Sequence, residues 1–293
     1  ARLSHNPVLR LKDAWEHEDT QAGALPPQLP DPAPAGALSV QLLRTYPYRR
    51  SGYPFARQGE RSIARGYRKA AARARRLIYL EDQYLWSTAV GGCFADALRN
   101  NRELRLIAVV PRYPDQQGKL GSTAELFGRA SVLAMLADAG GERVAVYSPE
   151  NDAGVPVYVH AKVCVMDDRW ATVGSDNVSM RSWTHDSELT CAVFDPTSRY
   201  PRDLRIRLGR EHLGLPSDAA LRDPDAAFDA FATSAAELAA WHADGRRGPR
   251  PPGRLLPYRP PQLSPWTRRW SRVLYRVVDP DGRPRALRRA ATF

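Results

Sequence analysis

Residues 157–177 read VYVHAKVCVMDDRWATVGSDN. An apolar run is interrupted by one imidazole and one ammonium two positions apart, His160 and Lys162. Asp167 follows, and then a turn built on Gly174, Ser175 and Asn177. Side chains alternate faces along a strand. Val157, Val159, Ala161, Val163 and Val165 therefore form one apolar face, and Tyr158, His160, Lys162, Cys164 and Met166 form the other. The spacing predicts a strand over 157–166 that projects His160 and Lys162 together. Downstream, Leu189, Cys191 and Val193 make an apolar set with Glu188 and Thr190 opposite. If these two strands are neighbours, Glu188 lies beside His160.

Outward from this stretch, ALSVQLLRT (37–45) has strand character and RSIARGYRKAAARARR (61–76) has helical spacing. LIYLEDQYLW (77–86) is an apolar strand that runs out into Glu81 and Gln83, polar residues at a strand end, where open α/β sheets place ligands. GGCFADALRNN reads as a short helix and ELRLIAVV (103–110) as a buried strand. STAELFGRASVLAMLADAG (122–140) reads as a helix with Ser122 as its cap, Glu125 three residues on and Gly140 closing it. RVAVYS, WATVGS and ELTCAVF are further strands, and DPDAAFDAFATSAAELAAWHADG is a late helix. This order predicts an α/β fold, a mixed β-sheet flanked by helices on both faces. No internal repeat is present.

The chain has 293 residues, 43% of them hydrophobic, enough for a substantial core. No apolar run reaches the roughly eighteen residues of a membrane span. Cys93, Cys164 and Cys191 form neither a disulfide framework nor a metal pattern, which favours a reducing, cytoplasmic or peripheral-membrane setting and leaves secretion open. The net charge of +11 is local: residues 245–293 hold 13 Arg against two Asp, so residues 1–244 sum to zero. Three regions follow. Residues 1–37 end in the Pro-rich ALPPQLPDPAPAG and read as a linker; 38–244 form the lobe; 245–293 are an Arg/Pro-rich tail. Within the tail, Trp266, Trp270, Val273, Leu274 and Val277 recur at helical spacing between arginines, a pattern suited either to an anionic membrane surface or to docking of the aromatics on the protein's own sheet with the arginines solvated.

An imidazole, an ammonium, an amide, a hydroxyl and a carboxylate on one surface suit a phosphate. Lys162 supplies charge, Ser175 and Asn177 donate to non-bridging oxygens, and Glu188 fixes the tautomer of His160. No metal or other cofactor is called for, and His5, His17, His185, His212 and His242 lack metal-ligand spacing. The pattern H160-x-K162-x4-D167 with G174-S175-x-N177 resembles the signature of the phospholipase D superfamily. Glu188, YLEDQYLWS (79–87), LRTYP (43–47) and GERSI (59–63) extend the likeness to the C-terminal half of bacterial two-motif members, over roughly residues 38–200.

The resemblance implies a phospholipid phosphodiesterase working through a phosphohistidine, by hydrolysis or head-group exchange. Its catalytic set is His160, Lys162, Asp167 and Glu188, although Asp167 lies on the opposite parity from His160 and reads as a structural brace. Such sites need two motifs, and this chain has one. The sequence lacks an initial Met and opens in the style of a mid-domain segment, so a half-enzyme completed by a second motif-bearing lobe is the leading expectation, ahead of a homodimer. Two other functions are carried forward. One is a homodimeric nuclease of the same superfamily, disfavoured because the neutral body lacks a groove for many phosphates. The other is a non-catalytic half-domain that binds phosphate groups.

Overall fold

The computed structural model describes residues 36–47, 56, 58–113 and 119–260, with side chains 119–125 set aside. The Pro-rich connector before residue 36 and the amphipathic segment 265–278 lie outside the described residues. Along the chain run β1 (Ser39–Tyr46), β2 (Glu60–Arg61), α1 (Ser62–Ala71), β3 (Leu77–Asp82), α2 (Thr88–Asn100), β4 (Arg105–Val109) and α3 (Lys119–Gly140). Then come β5 (Val144–Pro149), β6 (Lys162–Met166), β7 (Trp170–Gly174), α4 (Met180–Thr184), β8 (Glu188–Phe194), α5 (Tyr200–Leu213), α6 (Pro224–Ala243) and β9 (Leu255–Pro257).

The strands form one sheet in the order β2-β1-β8-β7-β6-β3-β4-β5-β9. Only β3–β4 and β4–β5 pair in parallel, through the crossover helices α2 and α3. The remaining pairs are antiparallel, so the sheet is mixed, as the sequence pattern requires. One face packs Ile78, Leu80, Leu106 and Cys164 against α1, α2, α3 and α4. The other packs Leu77, Tyr79, Ile107, Val109 and Val165 against α5 and α6. Fully burying each such side chain contributes roughly 1.5–3 kcal/mol, and the three layers follow from that demand on both faces of the central strands.

Several boundaries differ from the sequence reading. The lobe does not stop at residue 244: β9 pairs with β5, and Tyr258 is buried against the α1–α4 side, because its stretch supplies the apolar cover that edge lacks. Helix α3 begins at Lys119, so Ser122 is inside it rather than its cap. Strand β6 begins only at Lys162; residues 157–161 are tied down by Val157 N–H donating to Pro149 O and by the Glu150–Pro156 bridge. Of the thiols, Cys164 is buried and Cys191 half-exposed.

The β6–β7 hairpin explains part of the signature. Asp167 and Asp168 both take left-handed backbone angles, φ 53° and 55°, and Arg169 N–H closes onto Met166 O. A two-residue hairpin of this hand needs positive φ at both central positions, and Asp tolerates it because its carboxylate bonds nearby backbone. The Asp167 carboxylate accepts from the backbone N–H groups of Arg75, Arg76 and Leu77 at 2.7, 2.8 and 3.1 Å. Asp168 takes a bidentate bond from the buried Arg205 guanidinium of α5 at 2.6 and 2.7 Å.

Candidate active site

Four strand ends meet at the other end of β6. Asp82, the last residue of β3, pairs in register with Lys162, the first of β6. Val163 pairs with Val173 on β7, and Gly174 pairs with Thr190 on β8. Lys162, the GSDN turn and Glu188 are thus gathered at one edge, with β7 lying between β6 and β8. The two strands expected to be neighbours are one strand apart. Gly174 is required there: a Cβ would come within 2.7 Å of the Thr190 Cα and 2.8 Å of the Leu189 carbonyl oxygen.

Lys162 is buried, 9% exposed, and its ammonium is aimed by two bonds of 2.9 Å, to Gln83 Oε1 and to the His160 carbonyl oxygen. An ammonium has three donors, so one N–H remains for a ligand. Gln83 in turn donates from Nε2 to the Tyr158 hydroxyl at 2.6 Å, and the Tyr158 ring stacks on His160, centroids 6.4 Å apart with 24° between planes. The backbone around Gln83 is fixed from below. Arg129 of α3, 2% exposed, donates to the carbonyls of Gln83, Tyr84 and Pro111 at 2.9, 3.0 and 2.7 Å. Its partners are all neutral oxygens.

His160 is exposed, and its imidazole makes no hydrogen bond to a side chain among the described residues. Glu188 spends its carboxylate elsewhere: Oε2 accepts from Ser175 Oγ at 2.5 Å and Oε1 from Ser182 Oγ at 2.7 Å. Neither the expected Glu188–His160 bond nor a Ser175 hydroxyl turned to a ligand is present. Asn177 is buried with Oδ1 unpartnered, held by Val178 N–H donating to Asp82 Oδ2 at 2.9 Å on one side. Glu81 departs furthest from expectation. It lies on the α5–α6 face of β3, opposite Lys162, where Oε1 accepts from the Tyr79 hydroxyl and contacts His212 Nε2 at 2.5 and 3.0 Å. Asp167 sits at the far end of β6, five strand residues and roughly 17 Å from the Lys162 end.

Sequence reasoning passed over Asp176. It occupies the variable position of the GSxN turn, is 1% exposed, and accepts from the Thr190 hydroxyl while its Oδ2 has no partner. Burial pushes its carboxyl up to about 8, with Asp82 and Glu188 adding to the shift. Burial likewise raises Asp82, against three backbone donors, and raises Glu188 against its two serine bonds. Burial lowers the Lys162 ammonium, against the pull of Asp82, Glu188 and Asp176. Among the described residues no three His, Cys, Asp or Glu side chains form a metal-holding group. The site offers the Lys162 ammonium, the His160 imidazole and three carboxyls whose ionisation burial opposes.

Fold and site together define a mixed α/β lobe bearing a single H-x-K-x4-D and G-S-x-N signature at a strand-end edge. A family model described as "Cardiolipin synthase, PLD-like domain" matches residues 71–202. Phospholipase D1 of Schizosaccharomyces pombe is 27% identical over 246 residues, covering 65% of this chain and 18% of that protein. Phospholipase D zeta 1 of Arabidopsis thaliana is 26% identical over 258 residues, covering 69% and 23%. The chain thus spans about a fifth of the length of these curated relatives. Among solved structures, the phosphatidylserine synthase of Haemophilus influenzae aligns with a TM-score of 0.44 at 16% identity, covering 73% of this chain and 48% of that one. Nuc of Salmonella typhimurium aligns at 0.39 and 15%, covering 54% and 84%. These likenesses support membership of the phospholipase D superfamily.

Proposed function

We propose that this chain is one catalytic lobe of a phospholipase D-type phosphodiesterase acting on glycerophospholipids. The observation that carries this reading is the Lys162 ammonium, buried and pre-aimed by Gln83 and by the carbonyl of His160, a residue whose exposed imidazole makes no side-chain hydrogen bond among the described residues. A preorganised cation at a developing phosphorane charge is worth more in such a partly dry site than in water. His160 acts as general acid and base. An imidazole of the partner lobe attacks phosphorus, the P–O bond to the head-group alcohol breaks, and protonated His160 gives that oxygen its proton. Neutral His160 then takes a proton from water or an acceptor alcohol. The freed oxygen attacks the phosphohistidine, and the P–N bond breaks to release the partner imidazole. Asn177 binds a non-bridging oxygen. Ser175 and Ser182 hold Glu188, which acts on the site through its charge.

A second lobe of the same fold is the partner that fits. On the α5–α6 side, Leu42, Cys191, Val173 and Val163 form one cross-strand row. Val40, Leu42, Val173 and Leu189 on this face are 58, 62, 44 and 54% exposed. The strip runs directly into Glu188 and Gly174, so a lobe covering it would bring its own imidazole to the same edge. The test is alcohol exchange on phosphatidylcholine with the chain alone and with a motif-bearing N-terminal lobe added. Exchange and an acid-labile phosphohistidine are expected only in the mixture, and both are lost with His160→Ala. Robust turnover by monomeric chain alone refutes the half-site reading.

A further inference from the structure

Several surface arginines in this fold have an acid beside them. Arg44 meets Glu60, Arg76 meets Asp223 and Asp225, Arg105 meets Asp229, and Arg222 meets Asp218. The outer groove between α1 and α2 instead gathers several cations around one acid. A cleft of about 450 Å³ there is lined by Arg65, Arg68, Lys69 and Arg73, with Cys93 and Asp96 across from them. The 61–76 segment has seven cations and no acid, although residues 1–244 as a whole are neutral. Arg65, Lys69 and Arg73 have no acidic partner among the described residues. The one acid of the cleft, Asp96, is engaged from outside it by Arg99 at 3.1 Å.

The spacing makes this more than a solvated helix face. Arg65–Arg68, Arg65–Lys69 and Lys69–Arg73 are separated by three or four positions, and like charges at those separations destabilise a helix. A helix that keeps them facing a cavity has its repulsion relieved when an anion enters. The opposite wall carries Cys93, whose thiol burial pushes up to about 11, while the cations facing it are exposed and open to a ligand from solvent. Guanidinium groups bind phosphate through paired N–H donors. The cleft is also remote from the strand-end site. The N–H groups of Arg75 and Arg76, just past α1, clamp Asp167 at the end of β6 away from Lys162.

We propose that the α1–α2 cleft is a second phosphate site, one that takes a single terminal phosphate dianion such as a phosphomonoester head group. Arg65, Lys69 and Arg73 in one compact cavity match one phosphate. They do not match the six to ten contacts over which a nucleic-acid surface is typically spread (about that number,). This inference is independent of the reaction at His160.

Cys93 gives a readout confined to the cleft. The full chain is alkylated with a maleimide and modification at Cys93 is followed by peptide mass mapping, with short-chain phosphatidate, inorganic pyrophosphate or duplex DNA present. Phosphatidate is expected to slow Cys93 modification several-fold. The charge-neutral R65Q/K69Q/R73Q variant is expected to need at least about tenfold more phosphatidate for the same protection. Its thermal midpoint should hold or rise, since repulsion has been removed. Equal protection by pyrophosphate assigns the site to any terminal phosphate, and protection by phosphatidate alone assigns it to lipid. Protection by DNA only, no protection by any probe, or protection unchanged in the variant overturns the proposal.

Discussion

Strand β6 has two ends, and they treat polar groups in opposite ways. At the Asp167–Asp168 end every carboxylate oxygen is committed: Asp167 to three backbone N–H groups, Asp168 to both arms of Arg205. At the Lys162 end capacity is left over. His160 has no side-chain hydrogen bond among the described residues, Asn177 Oδ1 and Asp176 Oδ2 are unpartnered, and Lys162 keeps one N–H. Buried polar atoms in proteins are nearly always satisfied, so a cluster of exceptions at one strand end, facing full satisfaction at the other, separates chemistry from bracing inside a single signature. The histidine and lysine of H-x-K-x4-D belong to the first, and the aspartate to the second.

The sharpest way to break this contrast is to exchange effects between the ends. His160→Ala should lower exchange activity of the two-lobe assembly by up to about 10⁴-fold, the range of general acid–base catalysis. The denaturation midpoint should barely move, because the imidazole is exposed and its side-chain contact is the loose stacking on Tyr158. Asp168→Ala should do the reverse. It strands the Arg205 charge, 2% exposed, which costs about 3–5 kcal/mol. Urea titration measures that loss, while activity per folded molecule should be near that of the parent. A large stability loss for His160→Ala would undo the division.

Arg129 extends the bracing logic to the chemical end. It lies buried under the loop that carries Gln83, with carbonyl oxygens as its hydrogen-bond acceptors. Arg129→Met leaves three carbonyls without donors and should cost about 2–3 kcal/mol. Arg129→Lys, which keeps the charge but loses the fork, should recover part of that stability. If Arg129 positions Gln83, both variants also shift the ammonium resonance of Lys162, a change that general loosening of the core would not produce selectively.

How much of this was readable in the chain follows from which face each residue buries. Alternation through residues 159–166 correctly separated the two sides of β6: Val159 and Val165 pack toward α5 and α6, Cys164 and Met166 toward α1 to α4. Helix α5 left no mark in the sequence argument. Its buried face carries Arg205 and His212, paired with Asp168 and Glu81, and a helix whose inner stripe is interrupted by polar residues does not show a clean 3.6-residue apolar period. Missing α5 led to the misplacing of Glu81, since nothing then covered that side of β3. Gln83, two residues on, does reach Lys162. Asp176 was hidden for another reason. A carboxylate in a turn reads as solvated until Thr190 and the close Gly174–Thr190 approach are known to bury it. The lobe's C-terminal limit was missed because three strand residues among prolines and arginines carry too little pattern.

The effect most specific to the Lys162 end is a change in how stability depends on pH. Asp176 titrates at about 8 in the folded chain, and an unfolded aspartate titrates near about 3.9. Between those values the folded state binds the extra proton, so stability falls as pH rises through the window, by up to about 1.4 kcal/mol per pH unit. Asp82 and Glu188 are raised in the same direction, while Thr190 and the Lys162 ammonium oppose the shift, so the parent slope sums several groups. Asp176→Asn removes one of them. The variant should match the parent near pH 4 and become progressively more stable than it toward pH 8, a shallower curve in urea titrations across that range. At the Asp167 end the carboxylate is an acceptor for three backbone N–H groups, and Asp167→Asn should lose stability by leaving part of that set unsatisfied. Parallel curves for parent and Asp176→Asn would mean that the turn carboxylate is ionised and compensated, and the two ends of β6 would then be alike.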